Sequence, residues 1–401
     1  MLAGQLMEPG RFEVVEVDSP VPAEGQVLLE SQRTSICGSD LHLVYRGMYR
    51  GEYPAPPGWP GHEGVGTVLE SRADNFKPGD RVLAAPQPRF GRCFAQRQVV
   101  PADSLVHLPD GSDPGLQVLG QQLGTVVFAM RRFWPASQDR EPGSVAIFGT
   151  GAAGLLFVQL ARLAGFTKII VSDLTESRLA LAARFGATTT VHAPGQSLAE
   201  AVLDETSGVG ADLVIEAVGL DSTRIGCLDA VRAEGRVGYF GFPETLNTES
   251  TWSFSRAWAK RASIEVVTGA QGEPGLVSFH EAVKLIASDA VDTAPLAADV
   301  YPLVSIQDAF EAARERRGPK ISVELQPGVL RRPAWTTYVL RPWTVTTCST
   351  RRAPTCCATS AATKEPRPPT TWPVLLPQSD ADCCRVWRYG CRPDDPARVG
   401  H

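Results

Sequence analysis

Ser144-Val145-Ala146-Ile147-Phe148-Gly149-Thr150-Gly151-Ala152-Ala153-Gly154 is the stretch on which the fold turns. Its first five residues read as a short buried strand, and the glycines follow at once in G-x-G-x-x-G spacing. Beyond them, Leu155, Leu156, Leu160 and Leu163 recur at helical spacing, which predicts a helix over 155–164 closed by Gly165. Lys168–Ser172 predicts a second strand, ending at Asp173, 19 residues after Gly154. Strand, glycine turn, helix, strand and acid together form a dinucleotide fingerprint in the context it requires. Gly149 makes the tight turn, Gly151 lets the backbone approach a pyrophosphate, and Gly154 lets the helix pack against the strand. The helix N-terminus, at Ala152 and Ala153, offers amide donors and a positive partial charge. Asp173 is placed to accept from the adenosine ribose hydroxyls and to repel a 2′-phosphate, which favours NAD over NADP; Arg178, five residues on, softens that preference.

The alternation continues outward. Glu176–Phe185 predicts a helix stopped by Gly186. Residues 211–216 predict a strand ending at Ala217-Val218-Gly219, and 236–241 and 263–267 predict two more. Strands alternating with helices imply a doubly wound parallel sheet, with cofactor over the strands' carboxyl ends, where Ala217 and Val218 lie. Residues 1–122 differ: short strands (26–30, 64–70, 81–84, 97–100) with Gly and Pro punctuation predict a mostly β domain. Helical segments return at 275–288 and 305–316, before a strand at 321–325.

Composition narrows the function. The chain has 401 residues, 43% hydrophobic and 21% charged, which predicts two folded domains rather than one or a disordered chain. No run of about 18 apolar residues predicts a membrane span, and the N-terminus shows no secretory signal pattern. The net charge of −5 disfavours nucleic acid or an anionic membrane as partner. The segment from Gly328 to His401 differs from the rest. It holds six of the nine Cys and four of the eight Trp, and carries +6, so residues 1–327 carry −11. Either an unfolded extension or residues encoded in a shifted reading frame accounts for it, and neither implies function; its paired Cys lack zinc-ligand spacing. Three Cys in residues 1–327 give no disulfide framework, so a cytoplasmic setting is expected.

Two stretches in the front domain carry chemistry: Cys37-Gly38-Ser39-Asp40-Leu41-His42 and Gly61-His62-Glu63-Gly64-Val65-Gly66, followed by Lys77-Pro78-Gly79-Asp80-Arg81-Val82. With GTGAAG and Gly210-Ala211-Asp212-Leu213-Val214-Ile215-Glu216-Ala217-Val218-Gly219, the chain over about residues 10–327 resembles the medium-chain, zinc-type alcohol and polyol dehydrogenases. The resemblance implies a GroES-like catalytic domain, residues 1–122 completed by 271–327, around a Rossmann domain at 123–270. It implies Cys37 and His62 as zinc ligands, with Asp40 behind His62. Ser39 matches the hydroxyl that takes the substrate proton, and His42 is placed to pass it to solvent. A Zn²⁺ lowers an alcohol's pKa and steadies the alkoxide, while the nicotinamide accepts the hydride. Tyr45, Tyr49 and Trp59 fit a pocket wall or ordinary packing equally well.

The third ligand departs from the family. Where relatives carry Cys or Glu, this chain has Gln121, a neutral donor. Glu63 is therefore expected to coordinate with Gln121 assisting, as the family's glucose dehydrogenases suggest, or else zinc binds weakly or not at all. The segment matching the structural-zinc lobe of relatives holds one thiol, Cys93, so one catalytic zinc and no structural zinc is expected. The leading expectation is an NAD-dependent, zinc-assisted oxidation of a secondary alcohol, polyol or sugar hydroxyl by a homodimer or homotetramer. The alternatives are a zinc-free reductase of an activated C=C bond and a catalytically silent nucleotide-binding protein.

Overall fold

A computed structural model describes residues 1–48, 51–138, 140–243 and 252–326. The expectations for Tyr49 and for the segment from Gly328 onward lie outside these residues. Glycine and proline keep the front of the chain in short strands: β1 (Leu2–Glu8), β2 (Arg11–Glu16), β3 (Gln26–Ser35), β4 (Gly64–Ser71), β5 (Arg81–Ala84), β6 (Arg97–Pro101) and β7 (Leu105–His107). Helix α1 (Gly38–Tyr45) follows β3, and α2 (Pro114–Gln117) and α3 (Leu119–Phe133) lead away from β7. The expected boundary at residues 122/123 falls inside α3.

The middle of the chain runs β8 (Ser144–Phe148), α4 (Ala152–Leu163), β9 (Lys168–Asp173), α5 (Glu176–Phe185), β10 (Thr189–His192) and α6 (Leu198–Glu205). It continues through β11 (Ala211–Glu216), α7 (Asp221–Ala230), β12 (Val231–Tyr239), α8 (Phe254–Lys260) and β13 (Ser263–Val266). These six strands form one parallel sheet in the order β10-β9-β8-β11-β12-β13. Successive connections go one way from β8 to β9 and the other way to β11, so a crevice opens at the carboxyl ends of β8 and β11. The turn there has the conformation its glycines permit. Gly149 has φ +88°, and a Cβ on Gly154 would stand 1.9 Å from the Gly149 carbonyl oxygen.

The chain then returns through α9 (Val277–Ala287), β14 (Asp299–Pro302), α10 (Ile306–Arg314) and β15 (Ile321–Glu324). Strand β15 pairs antiparallel with β3, Ser322 opposite Ser35, inside the front sheet of order β14-β15-β3-β4-β5-β7. That pairing brings Lys320 and Ile321 to the loop after β3, where the Ile36 N–H donates to the Ile321 carbonyl at 2.9 Å. Helix α3 packs on α9 at Gly124, whose missing side chain leaves room for the fully buried Phe279 ring. Burial of a ring that size contributes about 1.5–3 kcal/mol. Trp59 is 5% exposed and belongs to the β-domain core with Leu6, Phe94 and Phe310, so it is a packing residue rather than a pocket wall.

Candidate active site

Helix α1 starts at Cys37 because Asp40, in its first turn, accepts the Cys37 main-chain N–H through Oδ2 at 2.9 Å. The other carboxylate oxygen of Asp40 lies 3.0 Å from His62 Nδ1. One buried acid thus caps the helix that presents Cys37 and fixes the imidazole of His62. The Nε2 of His62 faces Ser39 Oγ at 3.5 Å. Burial pulls the His62 pKa down, but Asp40 and Cys37 outweigh it and hold it well above its usual value. The surroundings therefore favour positive charge at this point.

Glu63 is fully buried beside His62. Its main-chain carbonyl accepts from the Thr34 hydroxyl at 2.6 Å and the Ser35 N–H at 3.1 Å, fastening it to the end of β3. The two carboxylate oxygens have unlike surroundings. Oε2 accepts from Ser35 Oγ and lies 2.6 Å from the buried Lys320 ammonium, while Oε1 has no hydrogen-bond partner among the described residues. Burial pushes the Glu63 carboxyl up, but Lys320 and His62 prevail and hold it below the usual carboxylate range. Ligand atoms of Cys37, His62 and Glu63 all lie within 4.8 Å of one another. Ligands on one tetrahedral zinc stand roughly 3.5 Å apart, so little contraction is needed. A free thiol, an imidazole with its far nitrogen held by a carboxylate, and a buried carboxylate oxygen without a donor form a donor set that fits zinc.

Gln121, in the first turn of α3, is buried and lines the same cleft, as does Gln122, whose Oε1 is buried without a hydrogen-bond partner among the described residues. Sequence reasoning missed Gln122, Ser35 and Lys320. Cys93 is buried, its thiol donating to Gln98 Oε1 at 3.4 Å and pushed up to about 12 by burial. It belongs to the packing behind the site.

The cleft has a volume of about 1470 Å³ and runs from Cys37, Ser39, His42, Tyr45, His62 and Glu63 on the β domain to the glycine turn on the parallel sheet. Gly149, Gly151, Ala152, Ala153, Asp173, Arg178, Ala217 and Val218 all line it. Gly154 stands behind the turn, where it allows the close approach described above. Open space surrounds Gly151. Asp173 accepts the Thr150 N–H at 2.7 Å and the Thr175 N–H at 3.0 Å, so it also ties the glycine turn to the end of β9. Arg178 reaches across to the Gly318 carbonyl at 3.2 Å. The His42 ring meets Phe242, from the loop after β12, at a centroid distance of 4.7 Å.

Residues 23–126 match the family model for the alcohol dehydrogenase GroES-like domain, and residues 152–288 match that for zinc-binding dehydrogenases. The chain is 28% identical over 347 residues to an L-threonine 3-dehydrogenase of Bacillus subtilis, covering 79% of this chain and 96% of that one. Its fold matches alcohol dehydrogenase TADH from Thermus sp. ATN1 with a TM-score of 0.70, at 25% identity over 81% of this chain and 100% of that one. A zinc-binding dehydrogenase from Sinorhizobium meliloti, bound to NADP, matches with a TM-score of 0.70 at 24% identity, over 80% of this chain and 98% of that one. With both family models matched in order, around a cleft of this construction, the chain belongs to the medium-chain, zinc-type dehydrogenases, enzymes that use a nicotinamide cofactor and zinc to oxidise a hydroxyl to a carbonyl.

Proposed function

We propose that this enzyme oxidises a secondary alcohol, polyol or sugar hydroxyl with NAD and a single catalytic zinc. The observation that carries this reading is the convergence of Cys37, His62 and the undonated Oε1 of Glu63 in the wall of a cleft whose opposite wall is a dinucleotide turn. Cys37, His62 and Glu63 would hold the metal, with Gln121 assisting from α3. Zinc there would supply a Lewis acid that lowers the pKa of a substrate hydroxyl, and NAD would supply the hydride acceptor. Ser39 takes the hydroxyl proton, standing 3.5 Å from His62 Nε2, and His42 carries it towards solvent along the cleft. Asp40 keeps His62 oriented.

Asp173 favours NAD because a 2′-phosphate would bring negative charge to a carboxylate already committed to two amides. At the substrate end, Gln87, Gln121, Gln122, Gln271, Thr125 and Thr268 line the cleft. Neutral donors and acceptors of this kind suit a substrate with several hydroxyls. We divide the chain into a catalytic domain of residues 1–122 and 271–327 and a nucleotide domain of residues 123–270. A reducing cytoplasm suits a site whose ligand is a free thiol. The exposed edge strand β13, flanked by Trp252, Phe254 and Trp258, supports self-association through the nucleotide domains.

The test is metal analysis of the purified chain beside an assay of NADH formation over a panel of alcohols, polyols and sugars. One zinc per chain, lost together with turnover in Cys37→Ala, is the expected result. Turnover that survives both chelation and Cys37→Ala would overturn it in favour of a zinc-free reductase. A chain with neither zinc nor turnover would overturn it altogether.

A further inference from the structure

Glu216 closes β11 and is fully buried behind the cleft. Its Oε1 accepts from Val218 N–H at 2.8 Å, Gly219 N–H at 2.7 Å and the Thr223 hydroxyl at 2.7 Å. Its main-chain carbonyl accepts from Phe240 N–H and Gly241 N–H, both at 2.9 Å. One residue therefore gathers the loop that leaves β11 and the loop that leaves β12.

The two loops also touch each other. Gly219 has φ +98°, and a Cβ there would stand 1.9 Å from the Phe242 carbonyl oxygen. A Cβ on Gly241 would stand 2.5 Å from Glu216 Oε2, an oxygen with no hydrogen-bond partner among the described residues. The platform so formed presents Ala217, Val218, Phe240 and Phe242 to the cleft. Sheet order places it on the far side of β8 from Asp173 and β9. The contact of Phe242 with His42 places it next to the helix that carries Cys37. With the adenosine ribose at Asp173 and the phosphates at the glycine turn, this platform faces the nicotinamide half of the cofactor.

We propose that Glu216 is a positioning residue for that half: its carboxylate sets the shape of the two-loop platform without touching cofactor or substrate. The proposal rests on the nicotinamide-cofactor reading above. Two main-chain N–H groups converge on one oxygen together with the Thr223 hydroxyl, whose single proton that oxygen shares with the Leu220 carbonyl at 2.8 Å, an arrangement that a charged acceptor satisfies better than a neutral one. In Glu216→Gln the amide oxygen can keep the place of Oε1. Its NH₂ group then falls where Oε2 lies, against Gly241 and without an acceptor, and the platform must shift.

The experiment compares binding of NADH and of ADP to the full-length protein, wild type and variants, by titration calorimetry, with circular dichroism as the check on folding. ADP occupies the Asp173 and glycine-turn end alone. Glu216→Gln is expected to weaken NADH binding about tenfold while ADP binding changes by less than about twofold, since the shifted platform loses the equivalent of about one contact to the nicotinamide half and none to the ADP half. Thr223→Val removes one donor without adding another, and is expected to shift NADH in the same direction by a smaller factor; it decides the matter if Glu216→Gln does not fold. Unchanged NADH binding in both variants, or an equal loss of NADH and ADP, would overturn the proposal. A wild-type chain that binds neither nucleotide sinks the cofactor reading, and this inference with it.

Discussion

Lys320 and Glu63 make a buried ion pair through Oε2 of Glu63, itself one of the candidate metal ligands, and the direction of its pH dependence follows from the shifts. Glu63 is held below its ordinary value of 4.5, so its contribution to stability is present above that value and fades as pH falls through the lower folded one. Burial lowers the Lys320 pKa, but Glu63 and Cys37 outweigh it and leave the ammonium above its ordinary value of 10.5. Its contribution is complete below 10.5 and fades as pH rises through the higher folded value. The pair is thus intact across the neutral range. Lys320→Met leaves a buried carboxylate without its counter-charge, and should cost about 3–5 kcal/mol at neutral pH. In that variant burial raises the Glu63 carboxyl, so acidification neutralises it early. Urea denaturation of metal-free protein should therefore show the gap between wild type and variant narrowing as the pH is lowered towards 4.5. A gap that stays constant would mean that Glu63 is not charged when buried. Sequence alone gave no means of finding this pair. Cys37, His62 and Glu63 stand in recognisable local patterns, whereas Lys320 comes to Glu63 only through the pairing of β15 with β3.

Among the elements, legibility followed the distance over which a pattern is written. The turn between β8 and α4 is local, and the roles read from Gly149 and Gly154 match the positive φ of one and the crowding at the other. Gly154→Ala should accordingly force a methyl into the Gly149 carbonyl oxygen and displace the helix N-terminus. Overpacking of that kind costs about 1–3 kcal/mol, and loss of NADH binding should exceed the loss of stability. Calorimetry beside thermal melting checks it; a variant that binds NADH as wild type would show that the helix can slide without opening the phosphate site. Other elements hid their period. Strand β12 was expected from residue 236 but begins at Val231, because Glu234 at φ +59° and a register shift interrupt the strand where Gly235 reads as a break. Helix α7 carries Gly226 at a point where a side chain would meet the Phe148 ring, so close packing on β8 has removed the apolar residue that would have marked the helix.

For the whole molecule, the strand order leaves β13 paired, among the described residues, on one side only, by β12. Beside that free edge, Trp258 is 73% exposed, Phe254 69% and Val266 63%. A free strand edge flanked by large exposed apolar side chains is a liability for a lone chain, and pairing with a second copy removes it. In a contact with two-fold symmetry the same strand meets itself, so two β13 strands run antiparallel and join the two six-stranded sheets into one. Sedimentation should then give a particle of at least twice the chain mass of 43.1 kDa. Val266→Lys, at the end of β13, and Trp258→Asp, on the neighbouring α8, place unpaired charge within that contact, which costs more than a small interface supplies. Each variant should sediment as a single chain. Both walls of the cleft come from one chain, so NADH affinity should stay within about twofold of wild type, since no contact to the cofactor is lost. A wild-type chain that sediments alone, or variants that still pair, would place the contact elsewhere and leave the aromatic cluster at β13 facing some other surface.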